Sequence, residues 1–216
     1  MKQLFLILTL LISFSTTGFS QKDAKAKEIL DKSSAVFNQA GGLSAYFTLN
    51  IKDVNSKTTE SFDGEISIKG NKFYINTPEN NIYFNGKTQW VYSKAFEEVN
   101  ISEPSAQEVQ AINPASIFEM YKKGCNYKYI GEKTDIKMRK VQEVELIPQN
   151  KKGDMSRILI QINKTDFMPV LFHIYYKNNI ENIIHINSYK TKENLPDDLF
   201  SFDTKKYPGA EIIDIR

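Results

Sequence analysis

Apolar and polar positions alternate along most of this chain with period two. Between residues 62 and 92 the alternation is clearest. Phe62, Gly64, Ile66 and Ile68 interleave with Asp63, Glu65, Ser67 and Lys69. That is the pattern of a strand with one dry face and one wet face. Gly70-Asn71 supplies a turn, Phe73 and Ile75 resume the alternation, and Pro78-Glu79-Asn80 interrupts it. Ile82-Tyr83-Phe84 follows, and then Asn85-Gly86. Asn-Gly between two apolar runs predicts a tight hairpin in which both central residues take positive φ. Gln89 to Tyr92 forms the returning strand and carries the single tryptophan, Trp90.

The same period recurs on both sides of this stretch. Ala45, Phe47, Leu49 and Ile51 alternate with Tyr46, Thr48, Asn50 and Lys52 and predict the first strand. Further strands are predicted near 99–101, 127–130, 141–147, 157–162, 170–176 and 183–189, with turns at 150–154 and 177–179 and a terminal strand at 212–215. Ile158, Ile160 and Ile162, then Phe172 and Ile174, then Ile184 and Ile186, mark the dry sides of three of them. Helical spacing holds over 22–40, through Ala26, Ile29, Leu30, Ser33, Phe37 and Ala40, and Gly41-Gly42 closes that helix. Two short helices led by proline are predicted. Pro114 to Tyr121 is apolar nearly all round through Ile117, Phe118, Met120 and Tyr121, and a second begins at Pro196 and carries Leu199. The fold is therefore mainly β with a few helices. About ten meandering antiparallel strands make one large sheet, which must curl into a barrel or part-barrel because a flat sheet of that size is unusual.

Three landmarks resemble the outer-membrane lipoprotein carrier family (LolA-like proteins). They are Lys69-Gly70-Asn71-Lys72-Phe73 with Pro78, then Gly86-Lys87-Thr88-Gln89-Trp90-Val91-Tyr92, and the tail Leu199-Phe200-Ser201-Phe202 followed by Pro208-Gly209. The resemblance covers most of residues 21–216 and implies an unclosed antiparallel β-barrel with a helical lid over its concave face. It implies a carrier that shields the acyl chains of lipoproteins in a hydrophobic groove. Cargo would come from an inner-membrane ABC lipoprotein exporter and pass to an outer-membrane acceptor. On that reading Phe47, Leu49, Phe73, Ile75, Trp90, Ile160, Ile162, Phe172 and Ile174 line the groove, and Ile117, Phe118, Met120 and Leu199 face them from the lid. The family carries an arginine before this turn, thought to latch the lid, and Lys69 stands in its place. Lysine lacks the planar five-donor fork, and alternation puts Lys69 on the wet face. Packing of Ile117 and Phe118 is therefore the favoured lid contact, with Lys69 the candidate latch. The alternative is a lipid-binding or envelope-sensing module of the same fold that transports nothing.

Composition narrows the chemistry. Residues 1–20 read as a signal peptide, with Lys2 ahead of an apolar run from Leu4 to Ile12 and small residues at Gly18 and Ser20. A run of nine residues is too short to span a bilayer, which takes roughly 20. Cleavage after Ser20 would leave 21–216 as a single periplasmic domain, a monomer. Twenty-eight basic and 26 acidic residues give a net charge of +2, which argues against a nucleic-acid surface. Cys125 is the only cysteine and there are two histidines, too few for an internal disulfide or a metal site. His173 and His185 fall opposite the isoleucines and read as exposed. Glu143 and Glu145 share a strand face without a partner that would make an acid–base pair, and Asp197-Asp198 suits a helix's first turn. No nucleophile elbow, P-loop or dinucleotide fingerprint is present, so no enzyme and no cofactor is expected. The excess is aromatic, with 14 Phe and 11 Tyr, and suits a β-rich core whose concave side needs covering.

Overall fold

The computed structural model describes residues 23–216, apart from 107, 110–112, 114 and 115. The predicted signal peptide and Pro114 lie outside these residues. Helix α1 spans Ala24–Gln39. Six strands follow: β1 (Gly42–Asp53), β2 (Thr58–Lys69), β3 (Lys72–Asn76), β4 (Asn80–Phe84), β5 (Gln89–Ser93) and β6 (Glu98–Ser102). Helix α2 (Ile117–Lys123) leads into β7 (Cys125–Thr134), β8 (Lys140–Pro148), β9 (Met155–Asn163), β10 (Pro169–Tyr176) and β11 (Ile180–Glu193). A 3-10 turn at Asp197–Phe200 precedes β12 (Glu211–Asp214).

The strands form one twelve-stranded sheet in the order β12-β6-β5-β4-β3-β2-β1-β11-β10-β9-β8-β7. It does not close into a barrel. Its eleven earlier strands pair antiparallel, but β12 runs parallel to β6, with Ile212 beside Val99. The tail thus covers one sheet edge by returning alongside it. The Asn85-Gly86 connection also differs from the expected two-residue hairpin. Phe84 pairs with Gln89 across four residues, and positive φ is confined to Gly86 there. The Asn85 side chain explains the difference: its Oδ1 accepts the Lys87 and Thr88 amides, at 3.0 and 2.9 Å, and so builds a longer turn.

The two helices rest against β7. Ala26, Ile29 and Leu30 of α1 and Ile117, Phe118, Met120 and Tyr121 of α2 share one core with Val144, Leu146, Ile158 and Ile160. Phe37 and Phe118 join the helices with ring centroids 5.1 Å apart, and Tyr121 Oη donates to Asp31 at 2.9 Å. Burial and that carboxylate push the Tyr121 hydroxyl up to about 12. Cys125 is buried in the same core, and burial pushes its thiol up to about 11, so it stays protonated and packs as a small apolar group.

Asp23 couples α1 to the free edge of β7. Its Oδ1 accepts the Lys25 and Ala26 amides as an N-cap, and its Oδ2 accepts the Tyr129 amide at 3.1 Å. Burial alone would raise its pKa, but the three amides and Lys128 outweigh burial and hold it below the usual value. Replacing Asp23 with Ala should cost about 1–2 kcal/mol at neutral pH. A depressed carboxyl contributes fully above about pH 4 and loses its contribution as pH falls through its folded value. Urea melts should therefore show the two proteins converging in acid, and a deficit that persists undiminished would contradict this role.

Candidate functional site: an apolar groove beside the helices

Pairing fixes which side chains share a face. Phe47 lies across from Gly64 and Ile186, Leu49 from Phe62 and Ile184, and Ile75 from Ile66 and Ile82. These residues, with Phe172 and Ile174, line one cavity of about 480 Å³. The lining comes from β10, β11, β1, β2, β3 and β4 together. Neighbouring strands sit about 4.8 Å apart, so a flat sheet would hold β10 and β4 about 24 Å apart. One cavity touching both requires the sheet to curl, and this face is its concave side.

The cavity is graded along its length. Phe37, Leu43, Ala45 and Tyr189 line one end, where Tyr189 Oη donates to the Pro169 carbonyl at 2.8 Å. Burial raises the Tyr189 hydroxyl well above its ordinary value, so the ring is a neutral stop. Glu60, Ser61, Thr77, Glu79 and Asn80 line the other end, with Tyr176 and Asn182 close by. Glu60 and Glu79 are exposed, so this end is the mouth. Gly64 makes the middle possible. A Cβ there would stand 2.4 Å from Phe47 Cζ, so only glycine lets the Phe47 ring lie flat over β2.

Of the residues expected at the site, Phe47, Leu49, Ile75, Phe172 and Ile174 line this cavity. Phe73, Ile160 and Ile162 point to the same side but are wholly buried in the core. Ile117, Phe118 and Met120 are buried with them where α2 covers the sheet, and α1's Phe37, against Phe118, is the helical residue in the cavity wall.

Trp90, Leu199 and Lys69 are placed differently. Trp90 pairs with Tyr83, whose neighbours Ile82 and Phe84 point into the concave core, so Trp90 faces the convex side. That side carries Tyr83 and Tyr92, and the tail covers them: Phe202 and Tyr207 pack on both rings or their hydroxyls, with Tyr92 and Tyr207 centroids 4.4 Å apart. Leu199 belongs to this convex covering, in the 3-10 turn that meets β3 and β4. Lys69 shares a face with Ser67, away from Ile66 and Ile68. Its Nζ donates to the Leu195 carbonyl at 2.8 Å and to Asp197 at 3.0 Å. Lys72, directly across from Lys69, reaches Asp197 at 3.2 Å. The two lysines hold the Asp197 carboxyl below its usual range. The bonds of Lys69 thus go to the tail, while the Phe118 ring of α2 meets Phe37 of α1.

Several polar groups of the convex face are engaged with one another. His173 sits 2.9 Å from Glu181 and 3.0 Å from Tyr175 Oη, and both histidines are half-buried instead of exposed. Burial, Lys137 and His173 lower His185 against the pull of Asp135. Glu143 bonds Lys133 at 2.6 Å and Gln161 at 2.9 Å. Among the described residues no group of three or more His, Cys, Asp or Glu could hold a metal ion.

Residues 15–176 match the family described as outer membrane lipoprotein carrier protein LolA. The chain belongs to that family. A search among curated protein sequences returns no match. Among solved structures, an uncharacterized conserved protein from Thermus thermophilus is similar at 14% identity and TM-score 0.58, over 88% of this chain and 99% of that one. MucB is similar at 10% identity and TM-score 0.50, over 84% of this chain and 64% of its own. A LolA superfamily protein from Nitrosomonas europaea is similar at 13% identity and TM-score 0.46, over 82% and 98%. The first two likenesses show the fold, and this LolA-family chain carries it with an apolar cavity of about 480 Å³ on its concave face.

The contacts separate the roles of Lys69 and Phe118. Lys69→Leu should speed amide hydrogen exchange over 196–202 and leave 117–123 unchanged, whereas Phe118→Ala should speed exchange over 117–123. Deprotection of α2 by Lys69→Leu as large as that by Phe118→Ala would make the lysine its latch after all.

Proposed function

We propose that this protein is a periplasmic carrier that shields lipoprotein acyl chains in its concave groove and moves them from the inner to the outer membrane. The supporting observation is the cavity itself. It is walled by aliphatic and aromatic side chains, with its polar residues gathered at one end. Each methylene buried stabilises by about 0.8 kcal/mol, so a long acyl chain does not cross water unshielded. Membership of the lipoprotein carrier family supports cargo of this kind. Among the described residues no helix is long and apolar enough to cross a membrane.

In this reading residues 1–20 are cleaved after Ser20, and 21–216 act as a single monomeric domain. The domain receives cargo from an ABC exporter and passes it to an outer-membrane acceptor. Its work is binding, with no catalytic step and no cofactor.

Ile75 offers the cleanest test, because it lines the cavity and is only partly buried. Phe73 is wholly buried, so a charge there would confuse binding with folding. An uncompensated carboxylate in an apolar site costs several kcal/mol. Ile75→Glu should therefore abolish binding of a fluorescent hydrophobic probe while circular dichroism is unchanged. Ile147→Glu, at a position 45% exposed outside the cavity, should bind as the wild type does. Undiminished binding by Ile75→Glu would remove the groove from the function.

A further inference from the structure

One polar side chain interrupts the apolar wall of the groove. Asn182 is in phase with Ile184 and Ile186 on β11, so it faces the concave side and lines the cavity with them. Its neighbours across the strands are Ile51 on β1 and Ile174 on β10. An apolar residue would fit that row better. Six side chains among the described residues bury a polar atom that has no hydrogen-bond partner, and Asn182, through its Oδ1, is the one of them that lines the cavity. Its Nδ2 reaches Tyr176 Oη at 3.5 Å, the outer limit of a hydrogen bond.

A buried carbonyl without a donor is costly, and an apolar group of the same shape would avoid that cost. Such a group calls for an explanation, and the position of Asn182 supplies one. Ile51 lies between Asn182 and Glu60 in the strand register. The amide therefore stands level with the mouth, where the polar rim gives way to the apolar interior. A chain lying in the groove places its first polar link at that level. Other polar groups of the lining are already engaged: Thr77 Oγ1 donates to the Asn80 carbonyl at 3.1 Å, and Tyr189 Oη donates to the Pro169 carbonyl. The long contact with Tyr176 holds the Asn182 amide only weakly, so the amide can turn toward the cavity. Its Oδ1 accepts, and the ligand must then donate. An amide N–H beside the chain does so, whereas an ester has no proton to give.

We propose that Asn182 reads the linkage of the chain in the groove, accepting a hydrogen bond from an amide N–H at its head and so favouring amide-linked over ester-linked chains. This rests on the lipid-carrier reading and adds a residue that selects among its ligands. The amide is the chemistry recognised, whether it belongs to an N-acylated polypeptide or to a free N-acyl lipid.

The test uses the full mature chain and displacement of a fluorescent hydrophobic probe by the N-methylamide and the methyl ester of lauric acid, which differ by N–H for O. The amide-to-ester affinity ratio should fall about three- to tenfold in Asn182→Leu, as expected for one hydrogen bond. Comparing ratios between the two proteins cancels the ligands' own differences in hydration. The N,N-dimethylamide keeps the carbonyl but lacks the N–H, so its ratio to the ester should be the same in both proteins. Tyr176→Phe should keep the wild-type ratio. Asn182→Leu should be at least as stable as the wild type in urea, because it removes an unpaired amide. An N-lauroyl dipeptide binding as tightly as the N-methylamide would support an acylated polypeptide as the source, and its exclusion would support a free lipid. An amide-to-ester ratio that Asn182→Leu leaves unchanged, one that Tyr176→Phe lowers as far, or a destabilised Asn182→Leu would overturn the proposal and leave a groove that does not read the linkage. Binding of none of these ligands by the wild type would overturn the carrier reading and this proposal with it.

Discussion

A sheet that curls has an inner face on which apolar side chains converge, and that face must be kept from water. Everything else in this structure follows from how the covering is divided. Over β7 to β9 it comes from the chain's own helices, and there Val144, Leu146, Ile158 and Ile160 are wholly buried. Each such side chain contributes about 1.5–3 kcal/mol, as does Phe73 on β3, which is wholly buried too. Over β1 to β4 and β11, Phe37 is the helical residue among the described ones that lines the cavity, and Leu49, Ile75, Ile82 and Ile184 stay part-buried around it. The helix-covered core and the open cavity therefore occupy adjoining parts of one face, and on the proposed function a guest chain in the groove would extend the same core.

The convex side explains the tail. Along β3 to β6 the sheet is apolar on both faces, since Tyr83, Tyr92 and Val99 are buried opposite Phe73 and Phe84. A second covering is needed, and Phe200, Phe202 and Tyr207 provide it. Asp197, set between Lys69 and Lys72, relieves two like charges that face each other across β2 and β3. The tail then pairs with β6, so that the four-residue β12 becomes the sheet's edge there, and a short edge strand invites less further pairing.

Much of this could be read from alternation alone. The strands, the dry residues Phe47, Leu49, Ile75, Phe172 and Ile174, and the wet-side position of Lys69 all follow from period two. Trp90 was legible too: counted across any even-length turn after Phe84, it falls opposite an odd-numbered residue and so away from Ile82 and Phe84. Its aromatic character suggested the groove, but parity governs. Leu199 was not legible, because nothing local states which face a returning tail will cover; that depends on the surplus of tyrosines on β3 to β5. The Asn85 turn depends on side-chain capping that competes with the hairpin preference of Asn-Gly. The division between helix-covered core and groove was hidden as well, because Ile160 and Ile75 have the same pattern and differ only in what lies above them.

That division is the central claim, and isoleucine methyl NMR with a spin-labelled acyl chain tests it directly. A nitroxide near the chain's end should broaden Ile66, Ile68, Ile75, Ile82, Ile184 and Ile186, leave Ile147 and Ile212 sharp, and affect Ile158 and Ile160 less than the groove methyls. Broadening centred on the convex face, or spread evenly over the exposed isoleucines, would contradict it.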